Sequence, residues 1–319
     1  MLEMNLSGLG RRPLIASAAA LGVFGAGWHL AEAKGAAEGV ALWPGTPPGG
    51  GGPQGPLRKT HNGAVDHIAT PCLLVYRPDK PNGSAVLVAG GGGYTHINLG
   101  TEAEPAALWL AARGITAFVL IYRLPREGWE DANRVALQDA QRAVRLIRAK
   151  AGQYGLRPER VSVLGFSAGG HLMGLTADWS EFHSYAPVDS VDFLSARPEA
   201  AALIYPVITL EPPYQHSSTR VQMVGKDPDP RLSAEWSVQT HVRPGCPAMF
   251  LVQAKDDPIS NPANTLILEQ ACHRAGVKVE LHRLPAGGHG FGMGVAGTVT
   301  AEWPSWYAKW LVRQGMLTA

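Results

Sequence analysis

The chain has 319 residues, of which 45% are hydrophobic and 17% are charged, and its formal net charge is +2. This apolar content is sufficient for a substantial core, which excludes a chain that is disordered over most of its length. The 28 lysines and arginines are scattered rather than gathered in one basic segment, so the sequence predicts no nucleic-acid partner.

The first 33 residues have the pattern of an export signal. Arg11 and Arg12 precede a weakly hydrophobic run, PLIASAAALGVFGAG, and the small residues at Ala31 and Ala33 suit a cleavage site. The run is too short to span a membrane convincingly, so no stable membrane partner is expected. The paired arginines resemble a twin-arginine signal and predict a periplasmic or secreted protein. An uncleaved N-terminal anchor or a wrongly chosen start codon is the alternative.

Residues 34–64 are rich in glycine and proline, a composition that predicts a lead-in lying on the surface without regular structure. The folded domain is therefore expected to occupy residues 65–319. The three cysteines, Cys72, Cys246 and Cys272, are far apart and lack the spacing of metal ligands. No metal or cofactor is expected.

Short apolar runs alternate with helix-length amphipathic stretches from about Ala69 onward. The runs are CLLVYRP, AVLVAG, TAFVLIYR, RVSVLGF, AALIYPV, AMFLVQA and VELHRLP. Their continuous valine, leucine and isoleucine content predicts strands that are buried on both faces of a mostly parallel sheet. The alternation predicts an α/β protein built as a three-layer αβα sandwich. The only long insertion lies between Ala177 and Ala200, so any cap over the sheet is small.

One serine stands where a predicted strand becomes a predicted helix. Ser167 follows the run RVSVLGF and lies between Gly165 and Gly169 in G-x-S-x-G spacing. Glycine permits the close approach of strand and helix that pushes the serine hydroxyl out over the sheet edge. This pattern predicts a nucleophile elbow, with packing of a glycine-rich helix start as the alternative.

A serine nucleophile needs a histidine base and a carboxylate that orients it, here in the order Ser, Asp, His. Asp256 and Asp257 end the run AMFLVQA, and His289 lies in a glycine-rich loop after the run VELHRLP. Both loops follow the carboxyl ends of strands, where sites form in open α/β sheets. We expect His289 to be the base, because His282 lies within a strand and His273 on a polar helix. Asp257 is the preferred acid, with Asp256 as the alternative.

The oxyanion of such a reaction needs backbone N–H donors that no side chain obstructs. Gly90–Gly93 directly follow the run AVLVAG, whereas the equally long run Gly49–Gly52 follows no strand. The sequence therefore predicts an oxyanion hole formed by the N–H groups of Gly92, Gly93 and Ala168.

These segments resemble those of the α/β-hydrolases, and among them bacterial acetylxylan esterases and other carbohydrate acetylesterases. The matching segments are GGGGY, FVLIYRLP, LQDAQRAVRLIRAKA, VLGFSAGGHL, LIYPVI, FLVQAKDDP and LPAGGHGFGMG, in the family's order from about Leu42 to Leu311. Gly90 replaces the family's proline, and PISNPAN replaces its Val-Pro after the acid. The resemblance implies a nucleophile at Ser167, an acid at Asp257 and a base at His289.

The expected activity is therefore hydrolysis of short-chain, mainly acetyl, esters on acylated carbohydrates such as acetylated xylan, or on small ester substrates. Tyr94, His171 and Trp129 are candidates for substrate contact, although Tyr94 and Trp129 also suit packing roles. A broad carboxylesterase or a peptidase on the same scaffold is an alternative, as is a non-catalytic carbohydrate-binding protein. A dienelactone-hydrolase-like activity normally uses cysteine at the elbow, which the serine here disfavours. The sequence leaves the oligomeric state open.

Overall fold

The computed structural model describes residues 38–214 and 216–318. The predicted export signal, residues 1–33, lies outside the described residues, and so does the beginning of the predicted lead-in. Within the described ranges, no helix is long and apolar enough to cross a membrane.

The regular elements alternate along the chain as the sequence predicts. The strands are β1 (Glu38–Ala41), β2 (Arg58–Lys59), β3 (Ala64–Asp66), β4 (Cys72–Tyr76), β5 (Ala85–Ala89), β6 (Ile97–Asn98), β7 (Thr116–Ile121), β8 (Val161–Phe166), β9 (Ala200–Ile204), β10 (Ala248–Ala254) and β11 (Val279–Leu284). The α-helices are α1 (Glu104–Ala111), α2 (Val135–Ala149), α3 (Ala151–Tyr154), α4 (Ala168–Asp178), α5 (Ser218–Val224), α6 (Pro230–Glu235), α7 (Ala263–Ala275) and α8 (Trp303–Arg313). Short 3₁₀ turns and one π-helical turn are the remaining regular elements of the described residues.

The main sheet has the strand order β1-β4-β7-β5-β8-β9-β10-β11. The six strands from β7 to β11 in this order are parallel, whereas β1 and β4 pair antiparallel at one edge. Every residue of β4, β5, β7, β8 and β9 is buried, as expected for strands covered on both faces. The prediction of a mostly parallel sheet is confirmed.

Helices form the outer two layers of the sandwich. In α2, Leu137, Ala140 and Val144 are buried at spacings of three and four, and every other residue from Val135 to Ile147 is buried too, so neighbouring segments also cover the side that faces away from the sheet. Helices α2 and α4 pack side by side. Helices α1 and α8 also lie together, where the ring of Trp109 stacks on Tyr307 with centroids 5.8 Å apart. The predicted three-layer αβα sandwich is therefore confirmed.

The predicted lead-in, residues 34–64, differs from expectation from Glu38 onward. This segment supplies β1 to the edge of the main sheet, and Leu42 and Trp43 are buried in the core. The indole Nε1 of Trp43 donates a 2.8 Å hydrogen bond to the carboxylate of Asp139 on α2. The glycines and prolines that follow obscure this anchor in the sequence, so a domain start at residue 65 is too late.

Candidate active site

Ser167 occupies a strained turn between β8 and α4. Its φ is +51° and its ψ is −117°, a conformation that non-glycine residues rarely adopt and that clusters at functional sites. A side chain at Gly165 would overlap the carbonyl oxygen of Gly169, and one at Gly169 would overlap that of Ala89. Both glycines of the motif are therefore needed for the turn to form.

Three side chains from distant segments meet above this turn. The hydroxyl Oγ of Ser167 lies 2.9 Å from Nε2 of His289. The other ring nitrogen, Nδ1, lies 2.8 Å from a carboxylate oxygen of Asp257. The sheet order explains the convergence, because β8 and β10 are separated only by β9 and β11 lies beside β10. The loops after these parallel strands emerge at the same edge.

The carboxylate of Asp257 is fully buried and held by several donors. One oxygen accepts the backbone N–H groups of Ile259 and Ser260 at 2.8 and 2.9 Å, and the other accepts the side-chain amide of Gln253 at 2.8 Å. Several hydrogen bonds to one carboxylate fix its orientation. Asp257 is thus arranged to hold His289 in one tautomer and one rotamer.

Asp256 has a different position from its neighbour. Its exposed carboxylate accepts the backbone N–H of Gly288 at 2.9 Å, and backbone hydrogen bonds, chiefly from Gly288, lower its pKa. The structure therefore brings Asp257 to the histidine ring, whereas Asp256 anchors the loop that carries the histidine.

The second glycine run lies directly beside Ser167. A side chain at Gly91 would lie 2.7 Å from Cβ of Ser167, and Gly92 and Gly93 have φ values of +119° and +62°. Within the described residues, no protein acceptor bonds the N–H groups of Gly92, Gly93 or Ala168. These groups are thus unoccupied donors close to the serine, as an oxyanion hole requires.

Two of the residues predicted to contact substrate are buried packing residues instead. Tyr94 and His171 are about 1% and 0% exposed, and the Tyr94 hydroxyl lies 3.0 Å from Nδ1 of His171. The other ring nitrogen lies 2.8 Å from the carbonyl oxygen of Trp236. Burial lowers the pKa of His171 to about 4, so its ring is neutral near pH 7. The burial of both side chains contradicts the prediction that they contact substrate.

Trp129 is also buried, at 7% exposure. Its ring packs against Gly52 and lies 4.9 Å from the guanidinium carbon of Arg123. It borders a cleft of about 420 Å³ beside Trp43 that none of the predicted catalytic residues lines. Because so little of the ring is accessible, the prediction that Trp129 contacts substrate is not supported.

A separate cleft of about 330 Å³ lies beside Asp257. Its lining includes Val207, Tyr214, Pro258 and Ile259. The backbone N–H of Val207 donates to the carbonyl oxygen of Ser167 at 3.4 Å, which places this cleft next to the nucleophile. The cleft thus adjoins the acid Asp257 and the backbone of the nucleophile, although neither Ser167 nor His289 lines it.

The site also contains a buried acidic residue that the sequence pattern does not indicate. Glu102, in the π-helical turn Leu99–Ala103, is 2% exposed and accepts the N–H of Gly91 at 2.6 Å and the hydroxyl of Tyr205 at 2.9 Å. The Tyr205 hydroxyl in turn accepts the N–H of Gly292 at 3.0 Å. In sequence, Glu102 resembles an ordinary acidic residue near a helix N-terminus, so no local signal separates it from Glu104.

Comparison with known proteins gives a family match and named relatives. The family described as BD-FAE matches residues 73–272. An acetylxylan esterase of Xylanibacter ruminicola is 30% identical over 226 residues, which are 70% of this chain and 44% of that protein. Endo-1,4-beta-xylanase B of Butyrivibrio fibrisolvens is 30% identical over 222 residues, 69% of this chain and 34% of that protein. The chain thus spans less than half the length of these curated relatives.

A solved structure covers more of the chain. The acetyl ester-xyloside bifunctional hydrolase of Caldicellulosiruptor lactoaceticus superposes with a TM-score of 0.75 at 33% sequence identity. The match covers 88% of this chain and 98% of that one. The similarity therefore extends over nearly the whole described fold.

Proposed function

We infer that this chain, which belongs to the BD-FAE family of α/β-hydrolases, is a serine esterase. The observation that carries the inference is the continuous hydrogen-bonded path from Ser167 through His289 to Asp257, with distances of 2.9 and 2.8 Å. A serine hydroxyl becomes a useful nucleophile only when a base of this kind removes its proton. The names of the relatives, which include esterases, agree with this chemistry.

The reaction would proceed through an acyl-enzyme. Nε2 of His289 takes the Ser167 proton as Oγ attacks the ester carbonyl, and the N–H groups of Gly92, Gly93 and Ala168 stabilise the resulting oxyanion. Collapse of the tetrahedral intermediate transfers the proton from Nε2 to the departing alcohol. Water, deprotonated by the same nitrogen, then attacks the acyl-serine. As this second intermediate collapses, the bond to Oγ breaks, Nε2 returns the proton to Oγ of Ser167, and the carboxylic acid is released.

The substrate class we propose is a short acyl group, mainly acetyl, on a xylan-type polysaccharide or oligosaccharide. The support comes from the relatives, which include an acetylxylan esterase, a xylanase and an acetyl ester-xyloside hydrolase. The connections that directly follow β8 and β10 are short, whereas the connection between β9 and β10, residues 205–247, carries α5 and α6 and brings Ser218 against Gly93. Export through the twin-arginine-like segment would bring the enzyme to such a polymer.

Labelling with a fluorophosphonate tests the nucleophile. The reagent forms a covalent bond with an activated serine, and peptide mapping identifies the residue. We expect one label on Ser167 and none in a Ser167→Ala variant. Labelling at another serine, or no labelling of the wild type, would contradict the assignment.

Product release from a panel of ester and peptide substrates tests the substrate class. The panel contains acetylated xylan, acetylated xylo-oligosaccharides, 4-nitrophenyl esters of increasing acyl length and short peptides, with Ser167→Ala as the blank. We expect release from the acetylated xylans and a preference for acetate among the aryl esters. A preference for long acyl chains would indicate a broad carboxylesterase, and peptide cleavage would indicate a peptidase.

A further inference from the structure

One peptide unit just before the predicted oxyanion donors is fixed at both of its polar ends. The carbonyl oxygen of Gly90 accepts the hydroxyl of Tyr122 at 2.8 Å, and the N–H of Gly91 donates to Glu102 at 2.6 Å. Both side chains are buried. The next two peptide units, which carry the N–H groups of Gly92 and Gly93, are held through their carbonyl oxygens by the backbone N–H groups of Asn98 and Thr95. The unit held by Tyr122 and Glu102 is thus the first of three consecutive anchored units.

A run of glycines does not hold such an orientation by itself. Glycine has more backbone freedom than any other residue, so four in succession are costly to order. The bond from Gly91 to Glu102 is short and its acceptor is a carboxylate, which makes it one of the stronger kinds of hydrogen bond. Glu102 is therefore one of the groups that order this run, and the only carboxylate among those that bond it within the described residues.

The same carboxylate also reaches the loop that carries the histidine. Its second oxygen accepts the hydroxyl of Tyr205, whose oxygen accepts the N–H of Gly292, three residues beyond His289. The Tyr205 ring also packs edge-on against the His289 imidazole, with centroids 4.8 Å apart. Glu102 thus connects the two loops that must keep their relative position during catalysis.

We propose that Glu102 is a positioning residue for the esterase reaction: its buried carboxylate aligns the oxyanion N–H groups through Gly91 and supports the His289 loop through Tyr205. The proposal rests on the proposed function, since it assigns a role within that same site. Within the described residues Glu102 makes no hydrogen bond to Ser167, and its role is exerted through Gly91 and Tyr205.

The charge of Glu102 offers a second way to test this role, through the pH dependence of activity. Burial raises its pKa above the ordinary value, while hydrogen bonds from Gly91, Tyr205 and Asn98 and the nearby His289 oppose that shift. The titratable groups nearest to Glu102 are Tyr205, Tyr122 and His289. Asp257 lies near Tyr205, and His96 is bonded to Asn98, which in turn bonds Glu102. A negative charge at Glu102 favours the imidazolium that forms during the reaction.

Three variants separate these effects, with 4-nitrophenyl acetate as substrate. Glu102→Ala removes both the anchor and the charge, whereas Glu102→Gln keeps the shape and one acceptor but removes the charge. Glu104→Gln is the matched control, because Glu104 lies two residues further on and bonds the hydroxyl of Tyr76. Circular dichroism and thermal unfolding establish that each variant is folded.

We expect Glu102→Ala to lower kcat by roughly 10- to 100-fold with little change in KM, because small displacements of catalytic groups have effects of this size. We expect Glu102→Gln to lower kcat less and to move the acid limb of the kcat/KM profile to lower pH, on the order of half a pH unit. Glu104→Gln should match the wild type in kcat and in the pH profile of kcat/KM. A kcat for Glu102→Ala within about twofold of wild type, or an unchanged pH profile for Glu102→Gln, would overturn the proposal.

Two further measurements keep the test decisive. If Glu102→Ala does not fold, Tyr122→Phe replaces it: this variant frees the Gly90 carbonyl, and a normal kcat would count against the alignment role. Wild type and Ser167→Ala are assayed in parallel. Activity that is equal in both would refute the proposed function, whereas Ser167-dependent activity that Glu102 substitutions leave unchanged would refute the positioning role alone. A wild type that no fluorophosphonate labels would overturn both.

Discussion

Asp178, at the C-terminal end of α4, is expected to make the stability of the fold fall as the pH rises. The residue is fully buried, and neither carboxylate oxygen has a hydrogen-bond partner within the described residues. The guanidinium of Arg243 and the thiol of Cys246 contact its backbone carbonyl oxygen instead. Burial raises the pKa of Asp178 to about 8, an effect that Cys246 and Arg243 oppose only in part.

The direction of this pH dependence follows from the protons that the folded and unfolded chains bind. Between the ordinary value of 3.8 and the folded value of about 8, the unfolded chain carries the ionised carboxylate while the folded chain holds a proton. The folded state then binds more protons, so the free energy of unfolding decreases with rising pH, by about 1.4 kcal/mol per pH unit. The decrease begins near pH 4 and ends near pH 8. At pH 7 it amounts to about 4 kcal/mol, an upper bound because water entry and relaxation around the charge reduce it.

Asp178→Asn removes this titration and nearly keeps the side-chain volume. We expect the variant to gain stability relative to wild type as the pH rises from 5 to 8, and to show no such gain near pH 4. Urea unfolding at each pH gives the free energies. Activity should be unaffected, because α4 places Asp178 about 15 Å from Ser167. Parallel pH dependences of the variant and the wild type would refute the reasoning.

Asp189→Asn is the control, because Asp189 should change the free energy of unfolding with pH in the opposite direction. Asp189 is paired with Arg142, whose hydrogen bond lowers the pKa of Asp189. Its contribution to stability is therefore present above the unfolded value near 4 and is lost as the pH falls through the folded value. Replacing it should destabilise the protein at neutral pH and matter progressively less in acid.

Three further predictions concern single residues. Asp257→Asn should lower kcat on the order of 10⁴-fold by removing the group that orients the histidine, whereas Asp256→Asn should lower it far less; steady-state kinetics that rank the two equally would contradict the geometry. Asp139→Ala should reduce the free energy of unfolding by about 3–5 kcal/mol, because it leaves the fully buried Arg123 without its partner; a loss below about 1 kcal/mol in urea unfolding would disprove this. Trp129→Phe should lower the melting temperature but keep KM for acetylated xylo-oligosaccharides within about twofold, and a large rise in KM would restore a substrate role.

The predictable part of the structure is the part that local sequence encodes. Continuous apolar runs identify the buried strands, and the spacing of glycines around Ser167 identifies the turn, because a side chain at either glycine would overlap a neighbouring carbonyl. The sheet order then determines that the loops carrying Asp257 and His289 emerge beside that turn. The fold class therefore supplies the convergence that no single segment shows.

The parts of the structure that the sequence does not predict depend on contacts between distant residues. Glu102 bonds Tyr205, 103 positions away, and nothing near either residue indicates the pairing. Trp43 is anchored by Asp139, 96 positions away, within a segment whose glycines and prolines suggest a loose surface chain. Tyr94 and His171 follow the motifs closely enough to suggest a site role, yet their mutual hydrogen bond turns both side chains into the core.

The glycine-rich loop around His289 shows why these distant contacts matter for the proposed chemistry. Five glycines with positive φ lie between residues 287 and 294, so the loop would be costly to hold in one conformation. It is fixed at three points: Gly288 by Asp256, His289 by Asp257, and Gly292 by Tyr205. Adjacent aspartates thus serve different purposes, one holding the backbone and the other the ring. The catalytic histidine must stay within hydrogen-bonding distance of its partners, and a glycine-rich loop can carry it because buried and charged groups elsewhere in the chain restrict the conformation of that loop.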